Sequence, residues 1–132
     1  MATATVVQMA PYVGTALTAM ASFIFTVSAS AKVRKRPQDR KMLEALGFNV
    51  AQANKLAAIE LASTVLFAVP NTMMFGVALL TAYLGGAAAA HVRLGQLPTQ
   101  PVVVAMLVWT AACLREPRLL ALCWEGIAGD IL

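Results

Sequence analysis

From Met1 to Ala31 the chain carries no Asp, Glu, Lys or Arg. An α-helix rises about 1.5 Å per residue, so about 20 apolar residues cross a hydrocarbon core of about 30 Å. The stretch from about Pro11 to Ala31 meets that length. A cleaved signal peptide is the rival reading, because Ser28-Ala29-Ser30-Ala31 has the small residues of a cleavage site. Two features speak against it: no Lys or Arg precedes the apolar stretch, and the stretch is too long. Composition extends the argument to the rest of the chain. Hydrophobic residues make up 60% and charged residues 12%. Soluble domains run nearer half apolar and a quarter charged. A surface this poor in charge faces something other than water, and lipid is the simple candidate. At 132 residues a single domain over residues 1–132 is expected.

Breakers divide the remaining sequence. Lys32 to Lys41 reads as a polar loop holding Pro37, and Met42 to Phe48 as a short amphipathic piece suited to the membrane interface. Gly47 ends that piece and Asn49 is placed to cap the next helix. A second span runs from Val50 to Val69, where Pro70-Asn71 breaks it. A third runs from about Thr72 to Ala90. The short, uncharged turn between them predicts an antiparallel hairpin. The loop His91 to Gln100 follows, with Gly95 and Pro98 as breakers. The fourth span is Pro101 to Leu114, extending through Arg115, and Arg118 to Ile127 reads as a second interfacial helix. The predicted fold is all-α: four transmembrane helices (about 11–31, 50–69, 72–90 and 101–115) in one bundle, with short interfacial helices.

Six of the ten basic residues fall between Lys32 and Lys41. Nothing outside the apolar segments is large enough to carry a basic nucleic-acid face. The run is a topology signal and a contact for anionic headgroups. Together with Arg93 and nearby Lys55 it places both polar loops in the cytoplasm and both termini on the non-cytoplasmic side. Cys113 and Cys123 form no Cys-x-x-Cys pair, and the single His91 builds no histidine metal site, so no metal is expected. No Ser/His/Asp order, P-loop or dinucleotide fingerprint is present.

Glu60 is the most informative residue. It lies near the middle of the second span, where a lone carboxylate is costly unless paired, protonated or hydrated. Its helical face carries Ala53, Leu56, Ala57, Ser63, Thr64 and Phe67, which suits a bundle interior. Lys55 lies about 140° around the helix and is expected to snorkel to the interface. A partner must come from another helix, and Thr81 and Tyr83 sit near the depth of Glu60. Desolvation disfavours the charge, so Glu60 is expected to be a neutral donor. One reading is a polar pocket in which Glu60 and Tyr83 bind or protonate a small ligand. The plainer one is an interhelical hydrogen bond that fixes register. His91 and Arg93, at the cytoplasmic end of the third span, are candidates to hold an anionic headgroup, a quinone oxygen or a substrate acid, or else anchor the interface. The run Gly85 to Ala90 most simply packs helices closely.

These residues resemble the DoxX-like family of small four-helix membrane proteins. The likeness is carried by Ala31-Lys32-Val33 before a basic loop, by Leu46-Gly47-Phe48, and by Lys55 to Leu61 with its Glu60 in a span ending at Pro70. The most specific stretch is Leu80 to Arg93. One departure is that the family commonly has a Gly near the end of the first span, where Ser28 to Ala31 stand here. The resemblance implies a four-helix membrane fold, with Glu60 and His91 as site residues. The family takes its name from a membrane subunit of a thiosulfate:quinone oxidoreductase.

Three functions follow as expectations. The first is a binding or accessory subunit holding an apolar ligand such as a quinone. The second is a membrane isomerase or cyclase with Glu60 as general acid and Tyr83 beside it. The third is a structural subunit of a larger complex. The expected partners are the lipid bilayer and either membrane subunits or further copies of the chain.

Overall fold

The structure, a computed structural model, describes residues 2–34, 37–119 and 121. Helix dominates it, and no strand occurs among the described residues. The order is α1 (Ala2–Val33), α2 (Pro37–Ala45), α3 (Val50–Ala68), a 3-10 turn (Pro70–Thr72), α4 (Met73–Arg93) and α5 (Thr99–Arg115). Helix α1 begins nine residues ahead of the expected span and runs through Pro11. Helix α2 starts inside the expected polar loop, with Pro37 at its first position, where a missing N–H costs nothing.

The ends of the helices follow local chemistry. After α2 the Phe48 N–H donates to Leu43 O and the Gly47 N–H to Glu44 O. This is a Schellman closure, and Gly47 supplies its positive φ of 79°. Gly95, at φ 69°, closes α4 the same way through Gln96 N–H to His91 O. Asn49 caps α3: its side chain accepts from the Gln52 N–H, and the Gln52 side chain accepts from the Asn49 N–H. The segment expected to form an interfacial helix, Arg118 to Ile127, lies largely outside the described residues. So do Cys123 and Trp124.

Helix α1 packs against α3 and α5, and α4 packs against the same two, which closes a four-membered ring. Neighbours in the ring run antiparallel. At one end, Gly14 of α1, Phe67 of α3, Gly76 of α4 and Arg115 of α5 meet. A Cβ on Gly76 would collide with the Phe67 backbone, and one on Gly14 would lie 2.9 Å from the Arg115 side chain. The core is built from Phe25, Phe67, Val77, Leu80, Val108 and the small Ala111 and Ala112. Outside it stand Tyr12, Phe23, Phe75 and Met106, all well exposed.

Among the described residues two segments, Gln8–Val33 and Pro70–Arg93, are long and apolar enough to cross a membrane. Only 28% of the apolar 18-residue stretch within each is buried in the bundle. A soluble core helix hides its apolar surface, whereas these helices turn most of theirs outward.

Candidate functional site

Glu60 lies halfway along α3 and is 1% exposed, one of the largest fully buried side chains. Of the face expected from the sequence, Ala53, Ala57, Ser63, Thr64 and Phe67 are buried with Glu60, and Leu56 is half-buried. Ser63 and Thr64 donate their hydroxyls to Ile59 O and Glu60 O on their own helix. That leaves the carboxylate to find partners elsewhere.

It finds two. The Tyr83 hydroxyl of α4 donates to Glu60 Oε2 at 3.1 Å. The Lys32 ammonium of α1 donates to the same oxygen at 2.9 Å and to Ser28 Oγ at 2.7 Å. The ammonium also stands 5.7 Å from the centre of the Tyr83 ring, within cation–π range. Three helices thus converge on one carboxylate oxygen.

Lys32 belongs to the last turn of α1, yet it reaches mid-bundle. Side chains on a helix lean toward the N-terminus. From the end of α1 that direction points back into the bundle. Helix α3 runs the opposite way, so Glu60 leans toward Lys32. The two side chains close the gap from both ends.

Glu60 Oε2 accepts from both partners rather than donating, and Lys32 stands where a buried carboxylate needs a counter-charge. Sequence reasoning assigned Lys32 to the basic loop. A signal was present: Ser28 and Lys32 are four residues apart, on one face of α1. Lys55 is exposed, as its angular position predicted.

The triad lies on the wall of a cavity of about 550 Å³, bounded by every helix of the bundle. Phe25 and Ser28 line it from α1, Leu56 and Ile59 from α3, Ala87 and His91 from α4, and Val104 from α5. Leu43, Leu46 and Phe48 cover it from α2 and its exit. Ile59 and Leu79, 52% and 46% exposed, stand at its rim on α3 and α4. His91 Nδ1 faces Ala87 O at 2.8 Å. A carbonyl only accepts, so Nδ1 carries the hydrogen.

Of the five residues singled out in the sequence, Glu60, Tyr83 and His91 line this cavity. Thr81 and Arg93 do not. Thr81 is exposed on the outer face of α4, where it donates to Val77 O and accepts from Trp109 Nε1 at 3.1 Å. It matches Glu60 in depth but not in direction: two residues rotate a helix by about 200°, so Thr81 and Tyr83 face apart. Arg93 is exposed at the end of α4.

Residues 16–113, which hold α3, α4, the second half of α1, most of α5 and the whole triad, match the sequence model of the DoxX-like family. No curated protein and no solved structure matches the chain.

Proposed function

We propose, from the premise that the chain belongs to the DoxX-like family of small membrane proteins, that it binds a small apolar molecule such as a quinone inside its bundle. The observation that carries this reading is the cavity of about 550 Å³, whose mostly apolar wall carries the polar triad together with Ser28, His91 and Gln100. Ligand sites run to about 300–1,000 Å³ and combine apolar lining with a few placed polar groups. An apolar rim at Ile59 and Leu79 suits a ligand that arrives from lipid.

The reading needs α3 and α5 to cross the membrane with α1 and α4. At 19 and 17 residues they are about 28 Å and 26 Å long, close to a hydrocarbon core of about 30 Å. The polar first turns of α3, with Asn49, Gln52 and Lys55, sit at the headgroup level. The ring then spans four times, with both termini outside and the Lys32 and His91 ends of α1 and α4 toward the cytoplasm.

Lys32 weakens the case for Glu60 as a general acid. In an ion pair the protons available for donation reside on Lys32 and Tyr83, which suits holding an oxygen better than protonating carbon.

The test is extraction of the intact protein from its membranes, followed by native mass spectrometry. A stoichiometric apolar molecule should accompany the native chain and be absent from Ala87→Phe, which fills the cavity. Equal retention by both, or bulk phospholipid alone on both, would defeat the proposal.

A further inference from the structure

The wall of the cavity is not closed all the way round. On α1 and α5 the lining residues Phe25, Ser28 and Val104 are buried or half-buried. On the α3–α4 side Ile59, Leu79, Ala82 and Gly86 line the cavity and are also exposed on the outside of the bundle. Residues that touch both the cavity and the outside mark an opening. Gly76, Leu79, Tyr83 and Gly86 follow one another at steps of three and four residues, so they share one face of α4. That face is turned to α3, because Gly76 meets the Phe67 backbone and Tyr83 bonds to Glu60. The seam is tight at Gly76 and bare at Gly86, where a Cβ would meet nothing within 4 Å.

Resting on the cavity's being a ligand site, we infer that the ligand passes sideways between α3 and α4, directly from lipid, and that Ile59 and Gly86 set the width of the gap. The remaining exposed lining residues, Phe48 and Gln100, stand at the α2 end. Leu43, Leu46 and Phe48 cover that end. A molecule using it would first have to leave the membrane for water, where apolar surface is disfavoured. The seam asks for no such step. Its exposed residues are all apolar, and the Tyr83–Glu60 hydrogen bond lies deeper, on a half-buried and a buried side chain. The small-residue run from Gly85 reads in the sequence as close helix packing. At Gly85 and Gly86 no neighbouring helix approaches, and the missing side chains leave the gap open instead.

The experiment uses the full chain in phosphatidylcholine nanodiscs, in a background of Cys113→Ser and Cys123→Ser, with Ser28→Cys as a reporter on the α1 wall. The Lys32 ammonium beside it favours the reactive thiolate. The probe is N-dodecylmaleimide dissolved in the lipid, and intact mass spectrometry follows the rate of its addition to the thiol. Ile59→Ala, which widens the gap, should speed labelling severalfold. Gly86→Phe should slow it about tenfold, since a ring standing in the gap must swing aside for each passage. Val104→Cys on α5 serves as the reporter if Ser28→Cys does not fold. Slowing by Gly86→Phe without acceleration by Ile59→Ala would mark a filled cavity rather than a closed gap, and overturns the inference. Labelling unmoved by both variants also overturns it while leaving the cavity a ligand site, and acceleration by Phe48→Ala would then put entry at the α2 end. No labelling of either reporter in any background overturns both.

Discussion

A carboxylate 1% exposed among apolar helices is tolerable only because Lys32 and Tyr83 reach it. Removing one member of a buried ion pair strands the other and costs about 3–5 kcal/mol, whereas exchanging both for apolar groups of similar size is often neutral. Lys32→Met alone should therefore lower the thermal unfolding midpoint in detergent far more than Lys32→Met with Glu60→Met. A double variant no more stable than the single one would mean that the pair is not coupled. Glu60 and Tyr83 were legible in the sequence, because a lone acid in an apolar span must be paired and helical rise sets the depth of its partner. Lys32 was not. It opens a run of basic residues that reads as loop, and its reach depends on how α1 and α3 register against each other, which neither segment states alone. Thr81 was chosen on depth without weighing angle, and the 200° rotation was available from the sequence.

At the scale of the element, the end of α3 matters most. The last four carbonyls of a helix lack partners within it and need others. Here all four are bonded. Val65 O accepts from the Val69 N–H and Leu66 O from the Thr72 hydroxyl. Phe67 O and Ala68 O accept from the Arg115 guanidinium at 2.9 Å and 3.1 Å. Arg115 also donates to Thr18 at 3.2 Å, so one side chain ties α5 to α3 and α1. Arg115→Met should destabilise the bundle by about 2–5 kcal/mol, from two or three lost charge-assisted bonds and two stranded carbonyls. Hydrogen exchange should then rise first at residues 65–72. Unchanged exchange there would contradict the capping role. The breakers around this end were plain in the sequence: Pro70 stops α3, and Gly47 and Gly95 supply the positive φ that two Schellman closures require. The Arg115 bridge was hidden, because it joins residues 47 and 48 positions apart. The start of α2 at Pro37 was missed because its charge suggested loop, while the preference of Pro for a first helical position pointed the other way.

For the whole molecule, the charge-free opening, the breakers and the helix lengths made the bundle legible, while the shape of its interior was not. The cavity lies away from the close approaches of Gly76 to Phe67 and of Gly14 to Arg115, toward the Lys32 and His91 ends of α1 and α4. Membrane topology is the property the sequence addresses most directly. Single cysteines at Asn71 and at Gln96, in a background of Cys113→Ser and Cys123→Ser, should react with an impermeant thiol reagent from opposite sides. Gln96 should react from the cytoplasm and Asn71 from outside; labelling of both from one side would remove at least one crossing. The central claim, that lipid surrounds a bundle whose cavity holds an apolar ligand beside the Lys32–Glu60–Tyr83 triad, is tested most directly by an experimental structure in a lipid nanodisc. The account predicts density for an elongated molecule in the cavity while Glu60 keeps both of its partners. A collapsed, dry interior, with Leu43 and Phe48 packed onto Tyr83 and no room for a ligand, would contradict it.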